Sequence, residues 1–301
     1  MSLAYLISAH TDAPQLKRLI EALHPDAEFF IHIDKKVDIE GFKGIIREER
    51  VHFIEKRTDI RWGTYRQVEY QMALLEAAVK HPKHFDHIFT LSGLDYPLWS
   101  NKKISQWLEE QGKREVLQGY NMNTPRLNEQ QRQLYTQYRP LLNLLGNRWD
   151  GKLSIALRKL LTGLGIRRKL HLTVDGKEWN LYKGSSWWCI SEELARYVVD
   201  TYKAHPEIRR YFLHSFGPDE CLIQTIAFNS TKWASRCMLS QGDYPGLDAL
   251  TPLYYIVYKP VIRVMTAKDF PELMGSGRMF ARKFQSGVSD EVIEMLSRVR
   301  S

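Results

Sequence analysis

The sequence predicts an α/β fold, a mostly parallel central sheet with helices packed against it. Three observations carry the prediction. Over the first hundred residues short apolar runs alternate with longer stretches, one of those stretches repeats its apolar residues at helical spacing, and 44% of the 301 residues are hydrophobic, enough for a sizeable core.

The elements follow in order. "LAYLISA" at 3 to 9 reads as an apolar strand ended by His10. "TDAPQLKRLIEAL" reads as a helix with Thr11 or Asp12 near its cap and Pro14 in its first turn, where a missing N–H does no harm. "EFFIHID" is a second buried strand ending in Asp34, and "RVHFIE" a short third. "TYRQVEYQMALLEAAVK" brings Val68, Met72, Leu75 and Val79 onto one helical face, and "HIFTLSG" is a fourth strand that breaks at "LDYP". Parallel sheets bind ligands beyond the carboxyl ends of their strands, which selects His10, Asp34 and Asp95. No GxGxxG follows the first strand and no GxxxxGK[ST] occurs, so neither a dinucleotide fold nor a P-loop is supported.

Residues 120 to 172 are less regular and strongly basic. From 126 to 169 there are ten Lys or Arg against Glu129 and Asp150. Here "GKLSIALRKLLTGLGIRRKL" sets Leu153, Ala156, Leu157, Leu160, Leu161 and Leu164 on one stripe with Lys152, Arg158 and Lys159 off it. The pattern fits a packed helix with a solvated basic face, or a segment at 152 to 169 lying on an anionic membrane. After 180, "GSSWWCIS" reads as a strand, "EELARYVVDTYKAH" and "DECLIQTIAFN" as helices, "YYIVY" as a strand, and "SDEVIEMLSRV" as a last helix beyond "MFARKF". No composition shift marks a boundary, so residues 1 to 301 read as one catalytic domain with a basic, partly helical insertion at about 120 to 172.

The formal net charge is +8 and the pI about 9.2, which admits nucleic acid, an anionic membrane surface or a phosphorylated substrate as partner. The longest apolar stretches, such as "LYYIVY", fall well short of the roughly 18 to 20 residues of a spanning helix. The N-terminus lacks the pattern of a secretory signal. These features predict a cytoplasmic protein without a transmembrane anchor, peripheral on the inner face of the membrane if the basic segment engages it. Cys189, Cys221 and Cys237 have no CxxC spacing; they read as buried apolar side chains in a reducing compartment.

"GPDECLIQT" at 217 to 225 puts Asp219 and Glu220 behind a Gly-Pro turn. Acids at a helix start can be caps, worth about 0.3 to 1 kcal/mol. Alternatively, one is a general base that deprotonates a hydroxyl nucleophile. A single base suits a displacement with a good leaving group such as a nucleoside diphosphate, whose growing charge then needs a metal or a cationic clamp. No Asp-x-Asp follows a strand, and Asp34 in "HIDKK" is trailed by Lys35 and Lys36. The candidate clamps are Arg263, Arg282 and Lys283, the last two between Phe280 and Phe284. Trp62, Trp187 and Trp188 are candidates for stacking on sugars; neighbours on a strand face opposite ways, so one of the last two at most lines a given cleft.

"HIDKK", "RWGTYRQVEYQMALLEAA", "TLSGLDYPL", "GSSWWCIS", "GPDECLIQT" and "FARKF", in this order, resemble the core-2/I-branching β-1,6-N-acetylglucosaminyltransferase family, which also holds peptide O-xylosyltransferases. The likeness covers about residues 3 to 285. It implies a GT-A-type fold, a UDP-sugar donor, inversion by single displacement, and basic side chains in place of a divalent metal. By position, Glu220 is similar to the family's catalytic base and Lys283 to the lysine that neutralises the diphosphate. The companion arginine matches Arg263 by local pattern, whereas counting back from "FARKF" lands near Lys259 and Pro260. Ala9, His10, Thr11, Asp34, Lys35, Lys36, Arg61, Trp62 and Arg282 match the nucleotide side. Asp95, Ser185, Ser186 and Trp187 match the sugar and acceptor side, with Asp219 as helix cap and orienter of its neighbour. The anchor, stem and disulfides of animal members have no counterpart here, which resembles a compact bacterial-type member. The expected activity is transfer of GlcNAc or xylose to a hydroxyl of a glycan or glycolipid acceptor, without a metal cofactor. A non-catalytic carbohydrate- or nucleotide-sugar-binding protein on the same fold is the alternative, and nucleic-acid binding rests on charge alone.

Overall fold

The computed structural model describes residues 1–124, 129–139, 153–258 and 261–300. Its central sheet has the order β10-β4-β1-β2-β3, made of β1 (Leu3–Ala9), β2 (Glu28–Ile33), β3 (Val51–Phe53), β4 (His87–Ser92) and β10 (Cys189–Ile190). The first four run parallel and only β10 is antiparallel. β1 lies in the middle, with Ile7 beside Ile31 and Leu91. Successive side chains point to opposite faces of a strand. Ala4 and Leu6 therefore pack with Val68, Met72 and Leu75 of helix Arg66–Lys80. Leu3, Tyr5, Ile7 and Ala9 pack with Leu16, Leu19 and Ile20 of helix Ala13–Ala22. Both faces are covered, which is why the strand reads as a continuous apolar run rather than an alternating one. Each fully buried aliphatic side chain is worth about 1.5–3 kcal/mol.

Helix Ala13–Ala22 begins as its sequence predicts, with Pro14 in the first turn and the Asp12 carboxylate accepting from the Gln15 N–H at 3.1 Å. The same carboxylate accepts from the Ser286 N–H at 2.8 Å and its hydroxyl at 2.6 Å. The end of β1 is thus tied to the chain beyond "FARKF".

Three local expectations are corrected. "LDYP" does not merely break β4, because Asp95–Pro97 forms β5, paired antiparallel to β13 (Phe280–Arg282) with Asp95 opposite Arg282. β12 (Tyr254–Ile256) completes that small sheet, while β7 (His171–Val174) and β8 (Lys177–Asn180) form a hairpin and β11 (Met238–Ser240) pairs with β6 (Gln118–Asn121). "GSSWWCIS" is not one strand. β9 (Tyr182–Gly184) pairs with β6 (Gln118–Asn121), four residues turn away, and β10 joins the central sheet. Gly184 permits this crossing, since a Cβ there would stand 2.1 Å from the Gln118 carbonyl oxygen and 2.9 Å from Gln224 Nε2. "DECLIQTIAFN" divides into a 3-10 turn, Pro218–Glu220, and helix Leu222–Phe228, whose N-cap is Cys221 with no side-chain cap bond.

Of the basic insertion, β6, helix Glu129–Thr136 and helix Leu153–Gly163 are described; Arg126, Arg148 and Lys152 lie outside the described residues. The leucine stripe is not a packed face, for Leu157 and Leu161 are half-buried while Leu153, Leu160 and Leu164 are exposed. Cys189 and Cys221 are buried and Cys237 half-buried, all free. No described helix is long and apolar enough to cross a membrane.

Candidate active site

A cavity of about 230 Å³ opens at the carboxyl ends of β1, β2 and β4. Nine of the predicted residues line it: Ala9, His10, Asp34, Trp62, Ser186, Trp187, Asp219, Glu220 and Arg282. Helix Arg66–Lys80 adds Gln67 and Tyr70. A larger groove, about 790 Å³, runs between β3 and that helix. Of the predicted residues only Lys35 faces it, so the smaller cavity is where the chemistry collects. Thr11 is exposed nearby, and Arg61 reaches Asp59 at 3.1 Å.

One side of the cavity is cationic. Asp34 is buried at the end of β2, accepts from the Lys36 N–H at 3.0 Å, and has Lys36 Nζ 3.4 Å from its Oδ2. Arg282 reaches over from β13, its guanidinium 5.6 Å above the Trp187 ring and 2.9 Å from Asp95. His10 feels this charge. Partial burial, with Arg282, Lys36 and Lys283, holds its imidazole below the ordinary range against the opposing pull of Asp34.

Lys283 is half-buried beside this group; its backbone N–H donates to the Arg263 carbonyl at 3.2 Å. Arg263 itself stands outside the cavity, paired with Asp269 at 2.8 Å and Glu272 at 3.3 Å. Lys259 and Pro260 lie outside the described residues. Asp95 does not line the cavity either. It is fully buried and accepts from the Ser92 N–H at 2.6 Å, the Tyr254 hydroxyl at 2.9 Å and Arg282, so it positions Arg282 from behind. Ser185 is buried and accepts from the Trp187 N–H at 3.1 Å. Trp187 lines the cavity while Trp188 is buried in the core, so only one of the two faces the cleft.

The other side is acidic. Gly217, at φ 53°, starts the 3-10 turn in a conformation open to glycine. Asp219 does not cap the following helix, because its carboxylate turns inward, accepting from Gln67 Nε2 at 3.1 Å and Ser186 Oγ at 2.6 Å. Burial first, then the charge of Glu220, pushes its pKa from 3.8 to about 7. Glu220 keeps about a third of its side chain exposed, and its Oε2 is held by the Lys183 ammonium. Lys183, on β9, is 3% exposed, with its Nζ 5.3 Å from the centre of the Tyr135 ring. Burial alone would lower its pKa, but the Glu220 charge reverses this and raises it well above the ordinary value. Lys183 and Glu220 therefore form an ion pair between β9 and the 3-10 turn.

A model of the Core-2/I-branching enzyme family matches residues 3–244. The chain belongs to that family. Human xylosyltransferase 2 is 24% identical over 325 aligned positions that cover 98% of this chain. Human N-acetyllactosaminide β-1,6-N-acetylglucosaminyl-transferase is 25% identical over 113 positions, 36% of this chain and 28% of that protein. The chain spans about a third of the length of the xylosyltransferases it matches. Among solved structures, core-mannan synthase A of Aspergillus fumigatus aligns with a TM-score of 0.36 and 12% identity, covering 78% of this chain and 72% of that one. In this site, sequence reasoning missed Lys183, Gln67 and Tyr70. The signal for Lys183 was a lysine inside the apolar strand "LYKG", a position that demands a counter-charge.

Asp219 makes a pH prediction. Between the ordinary 3.8 and about 7 the unfolded chain ionises this carboxyl while the folded chain keeps its proton. Its contribution to stability therefore falls as pH rises through that window and levels off above it. Asp219→Asn is expected to flatten this slope in urea titrations across the window. An unchanged slope would mean that the folded carboxyl ionises normally.

Proposed function

We propose that the chain is an inverting glycosyltransferase that moves a sugar, GlcNAc or xylose, from a UDP-sugar to a hydroxyl of a glycan or glycolipid acceptor. The observation that carries the reading is the Lys183–Glu220 pair at one side of a cavity whose other side carries His10 and Arg282, with Lys36, paired to Asp34, and Lys283 near them. The acceptor hydroxyl attacks the anomeric carbon. As its new C–O bond forms, the bond to the diphosphate oxygen breaks and the hydroxyl proton passes to Glu220. Lys183 holds Oε2, which leaves Oε1 for the proton. The departing diphosphate gains negative charge, and Arg282 and Lys283 are the cations for it. One displacement inverts the carbon. A retaining route by double displacement needs a second ionised carboxylate as nucleophile. Asp219, turned inward and protonated up to about pH 7, is poorly suited to that role.

Metal independence is part of the proposal. The carboxylates nearest the cationic side are already engaged, Asp34 by Lys36 and Asp95 by Arg282. Among the described residues, the His/Asp/Glu groups with spacing for a metal, Glu28 with His52 and His81 and Asp175 with His205 and Glu207, do not line the cavity.

Glu220→Gln is expected to lower transfer by about 10²–10⁴-fold, the usual worth of a positioned base, while UDP affinity by calorimetry stays near wild type. Full transfer by this variant would sink the assigned base. Lys183→Met removes the ammonium that holds Glu220 Oε2, so kcat should fall by about 10²-fold or more while UDP affinity stays near wild type; an unchanged kcat would remove Lys183 from this role. Turnover should persist in excess EDTA, and a strict need for Mn²⁺ or Mg²⁺ would overturn the cationic-clamp part of the reading.

A further inference from the structure

One surface of the basic insertion takes no part in this chemistry. On helix Leu153–Gly163 and its C-terminal edge, Leu153, Leu160 and Leu164 are 66%, 58% and 65% exposed. Spacings of seven and four residues put them on one side of the helix. Gly165, at φ 74°, closes the helix, with the Gly165 N–H donating to the Thr162 carbonyl at 3.1 Å and the Ile166 N–H to that of Leu161 at 2.9 Å. This is the glycine-based stop that satisfies the last carbonyls. Beyond it Ile166 is 45% exposed. Lys159, Arg167 and Lys169 are exposed around these apolar groups, and no Asp or Glu occurs from 153 to 169.

Charge decides what such a face can meet. Two copies of it would bring cations against cations, with no carboxylate in the segment to relieve them. An anionic lipid surface offers what both parts require, phosphates for the Lys and Arg side chains and an acyl boundary for the leucines. The eleven-residue helix is roughly 16 Å long, suited to lying in the interface and too short to span it. We propose that residues 153–169 seat the protein on an anionic phospholipid bilayer, leucines inward and Lys159, Arg167 and Lys169 at the headgroups.

The surface is joined to the cavity. Arg168, 5% exposed, donates from its backbone N–H to the Thr136 carbonyl at 2.7 Å and from its guanidinium to the Tyr135 carbonyl at 3.2 Å and the Tyr211 carbonyl at 3.0 Å. The Tyr135 ring in turn neighbours the ammonium that holds Glu220. A glycan carried on a membrane lipid is the acceptor class that this connection suits, an extension that rests on the proposed transfer.

The test is co-sedimentation with sucrose-loaded vesicles, equal parts phosphatidylglycerol and phosphatidylcholine compared with phosphatidylcholine alone. Wild type is expected to pellet with the anionic vesicles and to bind neutral ones about tenfold more weakly or worse. Leu160→Ser with Leu164→Ser, and separately Lys159→Glu with Arg167→Glu, should each lose about tenfold on the anionic vesicles, with thermal melting by circular dichroism confirming that they fold. Equal binding to both lipids, wild type left in the supernatant, or variants that bind like wild type would each overturn the proposal. So would a concentration-dependent dimer in sedimentation velocity that the leucine variants dissolve, in a protein that ignores vesicles. Glu220→Gln should sediment like wild type, so a failure of the catalytic assignment and a failure of the lipid surface read differently.

Discussion

A carboxylate with no solvent exposure governs how the small sheet meets the central one. Asp95 collects an N–H from the end of β4, a hydroxyl from β12 and a guanidinium from β13. Burial pushes its pKa up, and Arg282, the Ser92 N–H and Tyr254 act against that push. Removing one partner of such a buried pair typically costs about 3–5 kcal/mol, although replacing the whole pair by apolar groups can cost nothing. β5, β12 and β13 must meet in this register, and Arg282 must lie at the cavity beside Trp187.

From that constraint the cavity acquires its polarity. The cationic side is assembled from three places in the chain: the end of β1, the turn after β2, and the end of β13. Asp12 clamps the first to the third through Ser286. The acidic side comes from the 3-10 turn, helix Arg66–Lys80 and β9. Arg282 is paired with Asp95 on β5 and Glu220 with Lys183 on β9, each across two elements, so neither side discharges the other. For the proposed transfer this separation is useful, because a leaving diphosphate and an attacking hydroxyl need opposite fields on opposite faces of one sugar carbon.

Much of this was legible in the sequence where the cause is local. Apolar runs, helical spacing and the Asp12–Pro14 start depend on neighbours within a few residues, and they appear as read. His10 and Asp34 follow from the strand-end rule, whereas Trp187 and Trp188 part between cavity and core although they lie in the turn between β9 and β10 and not in a strand. What the sequence hid is set by distant partners. Asp95 looked like a cavity residue because its partner Arg282 is 187 positions away. Asp219 looked like a cap because Gln67, 152 positions away, is not visible from "GPDE". Arg263 looked like a clamp because a local pattern cannot show that Asp269 and Glu272 take its guanidinium. Lys183 passed unnoticed because a charge inside an apolar strand acquires meaning only with its counter-ion.

The two adjacent acids show how one turn gives neighbouring residues opposite chemistry. A 3-10 turn has three residues per turn, so consecutive side chains leave the axis about a third of a circle apart. With Gly217 setting the entry and Pro218 the first position, both acids reach the cavity wall, Asp219 turned to Gln67 and Ser186 and Glu220 to Lys183. An α-helix starting at Asp219 would still separate them, but its first-turn N–H groups would favour charge on both. Here Asp219 meets an amide and a hydroxyl, which do not offset its burial, whereas Glu220 meets a full cation. Glu220 in turn helps keep the proton on Asp219, since two negative charges on successive residues repel. The two carboxyls differ by their partners: burial and the charge of Glu220 push the Asp219 pKa up, while Lys183, reaching over from β9, pairs with Glu220.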